Sequence, residues 1–400
     1  MQKTPKSNRL HLSFFGRRNV GKSSLLNLFT RQDVAIVSDV PGTTTDPVEK
    51  VMELLPIGPV VLIDTAGLDD SGNLGEKRTA KTRQVFDRTD VGIIVVACGE
   101  WTDYEQNICE ELRFRNIPVV VAHSKCDLQP PSAELVARLA DEKLVQVETS
   151  ATEKRGVATL REAFVQVVPE DFITTPKIVA DLIPQGELAI LVVPIDLEAP
   201  KGRIILPQVQ TIRDILDHDS MCIVVKESEL PAALARLNQP PAIVVTDSQA
   251  FGEVSKIVPE EVPMTGFSIL FARVKGDLQE FVAGAQSIEQ LRPGDRILVL
   301  EACTHHPVTD DIGREKIPRW LQKYVGGDLE FVHHQGHDFP EDLASFKLVV
   351  HCGGCVHNRR AVLSRIARCR AMDIPITNYG LLIAFTHGIL ERALRPFGLE

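Results

Sequence analysis

The segment Gly16-Arg17-Arg18-Asn19-Val20-Gly21-Lys22-Ser23 restricts the fold more than any other stretch of these 400 residues. Its spacing is that of a P-loop, in which glycines let the backbone curl until successive N–H groups point at phosphate oxygens. Such a loop works between the end of a strand and the start of a helix, because the helix N-terminus supplies further unpaired amides. The flanks meet that condition: the apolar run LHLSFF precedes the loop, and SSLLNLF continues it with helical spacing. Short apolar runs (VVLID, VGIIVVAC, IPVVVAH, LVQVET) then alternate with helical segments, the pattern of a doubly wound, mainly parallel α/β sheet. The Pro-punctuated stretch VPEDFITTPK breaks this pattern, so the P-loop domain is assigned to residues 1–170.

Gly16, Asn19, Gly21, Lys22, Ser23 and Ser24 are expected to line the phosphates, with Lys22 as a point charge and Ser23 holding magnesium. Asp64 closes a strand run and is expected to hold magnesium through water, with Thr44 of VPGTTTDP as a further ligand and Gly67 approaching the terminal phosphate. Lys22, Thr44, Asp64 and Gly67 are thus the candidate catalytic residues. Lys125 and Asp127 follow one apolar strand, and Ser150 and Ala151 follow another. A carboxylate at Asp127 accepts two hydrogen bonds from the N1–H and exocyclic amine of guanine, a pair adenine lacks, so GTP is expected rather than ATP.

In order and spacing these elements resemble the translation-factor-type P-loop GTPases over residues 10–168. Two positions depart from the pattern. Ser124 stands where that family has Asn, and losing the amide removes one or two hydrogen bonds of about 1 kcal/mol each, which predicts weak, micromolar-range binding. Leu68 stands where Ras-like enzymes have a water-orienting Gln, whereas Asn19 stands where similar GTPases bind a potassium ion that replaces an arginine finger. Slow, potassium-stimulated hydrolysis is expected.

Residues 178–264 repeat the α/β alternation on a smaller scale without clustering catalytic groups. A short open sheet there suits an association surface, since its edges invite a second subunit, and it suits a packing spacer equally. Residues 266–400 open with the helical FSILFARVKGDLQEFVAGAQSI and contain three strand-then-turn runs, RILVLEAC, KLVVHC and IPITNYG. A formal charge of −10 and 5% aromatic residues argue against a nucleic-acid surface. The chain has no apolar run of about 18 residues and no signal-peptide pattern after Met1, so a cytoplasmic protein without a membrane partner is expected.

Eight cysteines at irregular intervals read as free thiols or ligands rather than a disulfide framework. Cys98, Cys109, Cys126, Cys222 and Cys369 lie in apolar or helical contexts and read as small packing residues. Cys352 and Cys355 form a Cys-x-x-Cys directly after a strand run, a spacing that serves disulfide exchange and metal binding alike. Cys303 ends another strand run, and in an open parallel sheet the carboxyl ends of strands share one edge. Three thiols would then converge, with His305, His306, Asp310, Asp311 and His351 nearby. Three thiolates suit an iron–sulfur cluster with one iron left for an exchangeable or non-cysteine ligand. Zinc in a Cys3His set, a redox dithiol that would leave Cys303 and the histidines unexplained, and a small-residue turn with no site are the rivals.

A more specific likeness lies in the tail. CTHH, DDIGREKIPRWL, DFPEDLASFKLVVHCGGCVHNRR and IPITNYGLLIAFTHGIL, behind a GTPase domain and the central APKGRIILPQVQTIRDILD, closely resemble the FeFe-hydrogenase maturation GTPases over essentially the whole chain. That resemblance implies a GTPase domain, a small α/β dimerisation domain (178–264) that forms a homodimer, and an α/β iron–sulfur cluster-binding domain (266–400). It implies a 4Fe-4S cluster on Cys303, Cys352 and Cys355, with His305 or His351 preferred as fourth ligand and Asp310 or Asp311 as alternatives. It further implies a scaffold and carrier that receives a di-iron precursor built with two radical S-adenosylmethionine maturases and passes it to apo FeFe-hydrogenase. The competing expectations are an RNA-modifying or ribosome-assembly GTPase with a structural zinc module, and a cluster-containing oxidoreductase.

Overall fold

Strands written as nearly unbroken apolar runs must be covered on both faces, and the helical segments between them supply the cover. The computed structural model describes residues 4–31, 47–65, 84–97, 99–169, 172, 176–195, 204–302, 311–336, 339–340 and 342–399. They fall into two compact units, 1–175 and 176–400.

In the first unit β1 (Leu10–Phe15) leads through the P-loop into α1 (Lys22–Arg31), and β2 (Val48–Leu54) turns back onto β3 (Gly58–Asp64). Then follow β4 (Val91–Ala97), α2 (Asp103–Phe114), β5 (Val119–Ser124), α3 (Ala133–Asp141), β6 (Val145–Glu148) and α4 (Val157–Val167). The sheet order is β2-β3-β1-β4-β5-β6, with β2 antiparallel to β3 and the other pairs parallel. One face packs Leu12, Phe14, Phe29 and Phe164 together, and the other packs Ile63, Ile94, Val121 and Leu139. Burial on both faces is why these strands read as continuous apolar runs instead of alternating ones. The parallel register brings the loops after β1, β3, β5 and β6 to one edge.

The second unit holds two four-stranded sheets, both parallel throughout. The first contains β7 (Leu188–Val192), α5 (Leu206–Asp217), β8 (Met221–Val225), α6 (Leu230–Leu234), β9 (Ile243–Thr246), α7 (Phe251–Ile257) and β10 (Met264–Gly266), in strand order β10-β9-β7-β8. α8 (Phe267–Lys275) and α9 (Leu278–Gln286) lead to β11 (Arg296–Glu301), α10 (Ile317–Val325), β12 (Glu330–Gln335), β13 (Leu348–His351), α11 (Arg359–Ala371), β14 (Ile376–Asn378) and α12 (Tyr379–Thr386). Their strand order is β12-β11-β13-β14.

The sequence predicts a domain boundary near residue 265, but β10 passes into α8 with no linker. α8 is buried on more than one side: Phe267, Leu270 and Phe271 join Leu191 and Val245 of the first sheet, while Ile269 and Ala272 join a cluster that reaches Leu298 and Val350 of the second. A helix that is apolar nearly all round belongs inside a protein, and here it fuses two expected pieces into one compact unit. Among the described residues no helix is long and apolar enough to cross a membrane.

Candidate functional site

The nucleotide end starts where β1 stops. Gly16 takes φ 143° beside β4, and a Cβ there would lie 2.4 Å from the carbonyl oxygen of Val95, so a side chain has no room. Asn19 enters the left-handed region at φ 63° and Gly21 follows at φ 98°, which curls the loop before α1 opens at Lys22. Lys22 is buried, and its ammonium donates to the carbonyls of Gly16 and, at 2.9 Å, of Arg17. Ser23 Oγ donates to Asp64 Oδ2 at 2.6 Å, bringing together two of the expected magnesium ligands from α1 and the end of β3. Ser24 is exposed on the first turn of α1. Thr44, Gly67 and Leu68 lie outside the described residues.

The base end lies at the same edge. Lys125, at φ 56°, turns the chain out of β5, and Ser150 Oγ donates to Asp127 Oδ1 at 2.7 Å, which orients that carboxylate. Ala151 is exposed in the following turn. Ser124 Oγ donates to the P-loop carbonyl of Val20 and, at 3.3 Å, to that of Val96. The hydroxyl therefore ties the base loop to the phosphate loop, a role the sequence argument did not assign to it. Arg17 makes a further tie that the P-loop spacing does not announce: its Nε donates to Glu105 Oε1 at 2.9 Å, and buried Glu105 also accepts from Thr102 N at 2.9 Å in a capping box at the start of α2. The Thr-x-x-Glu spacing was the available signal.

The thiol end sits at the carboxyl edge of the second parallel sheet of unit 176–400. Cys352 N donates to the carbonyl of Leu300 at 2.9 Å, extending the β11–β13 pairing, and Ala302 N donates to Cys352 Sγ at 3.1 Å. Gly354, at φ 62°, turns the loop so that its own N–H faces Cys352 Sγ at 3.4 Å. Burial raises the Cys352 thiol above its ordinary range, and the two amides pull it back. Cys303, His305, His306 and Asp310 lie outside the described residues, and among those described no group of three or more His, Cys, Asp or Glu side chains is arranged to hold a metal ion.

His351 is buried at the end of β13. Arg365 of α11 donates to its Nε2 at 2.8 Å, since a guanidinium has no acceptor, so Nδ1 carries the proton and donates to the Cys352 carbonyl at 2.6 Å. Burial, then the Arg365 charge, and less strongly that of Lys275, hold the imidazole down at about 3. Both ring nitrogens are engaged away from a metal, so in this arrangement His351 orients the cysteine loop and offers no ligand lone pair. Asp311 Oδ1 accepts from Arg314 N at 2.9 Å and caps the π-helical turn Ile312–Lys316 that precedes α10. Below the loop Lys275 is buried, its ammonium pulled down to about 8 by burial while the Cys355 and Cys352 thiols pull it up. Neither Arg365 nor Lys275 carries a local motif that would announce it.

The donor set fits an iron–sulfur group: soft thiols, amide N–H groups aimed at sulfur, and buried cations that offset anionic charge.

A curled loop at the N-terminus of α1, with Ser23 on Asp64 and Ser150 on Asp127, defines a P-loop GTPase. The chain matches the family model described as "50S ribosome-binding GTPase" over residues 11–125, which carries GTP and magnesium with it. It matches "Hydrogen maturase F dimerization domain" over residues 178–276 and "Hydrogen maturase F tetramerization domain" over residues 279–396. The chain belongs to the hydrogen maturase F family and carries a GTPase domain ahead of the two modules of that family.

Several curated proteins and solved structures are similar to part of the chain. The tRNA modification GTPase MnmE of a Nostoc species is 36% identical over 163 residues, covering 40% of this chain and 34% of that protein. MnmE of a Synechococcus species is 38% identical over 164 residues, with the same shares covered. The chain thus spans about a third of the length of these curated relatives. Among solved structures, the G domain of the T. maritima FeoB iron transporter is 22% identical with a TM-score of 0.32, covering 40% of this chain and 98% of that one. Aquifex aeolicus Era is 18% identical with a TM-score of 0.33, covering 54% and 93%.

Proposed function

We propose that this chain is a GTP-hydrolysing scaffold that holds a 4Fe-4S cluster on Cys303, Cys352 and Cys355. On this reading it receives a di-iron precursor, made with two radical S-adenosylmethionine maturases, and delivers it to apo FeFe-hydrogenase in the cytoplasm. Residues 1–170 act as the switch, 178–264 as the dimerisation domain and 266–400 as the cluster-binding domain.

The main support is the hydrogen bond from Ala302 N to Cys352 Sγ at 3.1 Å, because Ala302 immediately precedes Cys303. That contact draws the ends of β11 and β13 together at one sheet edge, where ligands of open parallel sheets collect. When bound, the cluster supplies an iron that takes an exchangeable ligand. With both His351 nitrogens engaged, His305 becomes the preferred protein donor at that position. A homodimer is supported by β8, an edge strand that exposes Met221 at 56% and Val224 at 44%.

In the switch, Lys22 neutralises phosphate charge, Ser23, Thr44 and Asp64 hold magnesium, and Gly67 meets the terminal phosphate. Lys125, Asp127, Ser150 and Ala151 read guanine, while Asn19 holds a potassium ion that stimulates an otherwise slow hydrolysis. The RNA-modifying alternative draws on the GTPase part alone.

Electron paramagnetic resonance of anaerobically reconstituted, dithionite-reduced protein tests the proposal. A 4Fe-4S signal in the wild type, lost in Cys303→Ser, is expected. A silent wild type containing stoichiometric zinc would overturn it.

A further inference from the structure

Lys275 is the last residue of α8, and its side chain is buried beneath the loop that carries Cys352 and Cys355. Its Nζ donates to three backbone carbonyls of that loop: Gly354 at 3.1 Å, Cys355 at 3.2 Å and His357 at 3.0 Å. A neutral amine has only two N–H groups, so three acceptors around one nitrogen call for the three donors of an ammonium. A positive charge is thus held directly under the cysteine loop. Burying an ammonium is costly unless it is both hydrogen-bonded and neutralised. The carbonyls meet the first requirement, and thiolates on an anionic cluster meet the second.

The contact also shapes the loop. Gly354, whose carbonyl accepts from Lys275, directs its own N–H at Cys352 Sγ at 3.4 Å. α8 lies in the span matched by the dimerization model, whereas the loop lies in that matched by the tetramerization model. Lys275 therefore joins the segment matched by the dimerization model to the thiols.

We infer that Lys275 is a positioning residue for the cluster: its three hydrogen bonds set the Cys-Gly-Gly-Cys loop, and its charge favours the reduced, more negative form. This rests on the reading of Cys303, Cys352 and Cys355 as cluster ligands.

The test compares full-length wild type, Lys275→Met and Lys275→Gln after anaerobic reconstitution, with circular dichroism as the control for folding. Iron per chain, the paramagnetic resonance spectrum and the midpoint potential at neutral pH are read. Each variant is expected to be about tenfold less reduced at a fixed potential, which for a one-electron couple is a shift of about 59 mV in the negative direction. Lys275→Met, which abandons all three carbonyls, is expected to retain less iron than Lys275→Gln, which keeps an amide donor. If the Met variant does not fold, the potential of the Gln variant decides. Unchanged iron content and potential in folded variants would overturn the inference alone. A wild type that forms no 4Fe-4S signal would overturn the underlying ligand reading, and the inference with it.

Discussion

The nucleotide end occupies the carboxyl edge of a mainly parallel sheet and the thiol end that of a fully parallel one, but they are built in opposite ways. At the nucleotide end the backbone does most of the shaping: Gly16, Asn19 and Gly21 at positive φ curl one loop, and Ser23 remains exposed beside it. At the thiol end side chains do the shaping from a distance. Lys275 arrives from α8, His351 from β13 and Arg365 from α11, all three buried. A switch must exchange its ligand, which suits an open loop of amides. On the proposed reading a cluster must be retained, which suits a loop seated on buried, charged side chains.

If the two ends are separate devices, each can be disabled without the other. Ser23→Ala is expected to slow GTP hydrolysis by about a hundredfold or more, the scale of losing one well-placed transition-state contact, while the cluster spectrum stays intact. Cys352→Ser is expected to do the reverse, lowering iron retention by at least about tenfold, since even an outer partner of a metal ligand can cost that much. Parallel assays of phosphate release and iron per chain measure both. Loss of cluster in Ser23→Ala would show that one body of contacts serves both ends, and the comparison would collapse.

A smaller effect sharpens the picture of the nucleotide end. Hydrolysis is expected to run about tenfold faster in potassium than in sodium, a modest part of the ~10³ that an arginine finger supplies. Asn19→Ala should remove the difference while leaving the sodium rate nearly unchanged. Equal rates of the wild type in the two salts would mean that the left-handed conformation of Asn19 serves the turn alone.

The contrast also explains what could be read from the residues in advance. The P-loop, Asp64, Asp127 and Ser150 are legible because short-range geometry dictates them: glycine where φ is positive, and a polar residue at the end of each apolar strand. Cys352 and Cys355 are legible as a pair for the same reason. Arg365 and Lys275 are not, because each is separated in sequence from what it touches and lies in an ordinary-looking helix. The packing of α8 between the two sheets of the second unit is illegible on similar grounds. FSILFARVK reads as the opening of a new domain, and only packing shows Phe267 and Ile269 facing two different sheets.

The smallest expected effect concerns Ser124, where residue spacing and structure pull in different directions. Against the family pattern, a missing Asn amide means weaker binding. Yet Ser124 Oγ already reaches the Val20 carbonyl and lies 3.3 Å from that of Val96, so the tie between base loop and P-loop is made by a hydroxyl. Losing a hydrogen bond of this kind is worth about 1 kcal/mol, so Ser124→Ala is expected to weaken GTP binding about fivefold. Ser124→Asn restores the usual amide but replaces a tie that exists, so it should strengthen binding by no more than about twofold. Fluorescent-nucleotide titration of the three proteins checks both values. Wild-type affinity in Ser124→Ala, with a large gain in Ser124→Asn, would mean that the hydroxyl holds nothing and that the weaker site expected from the family pattern is the correct description.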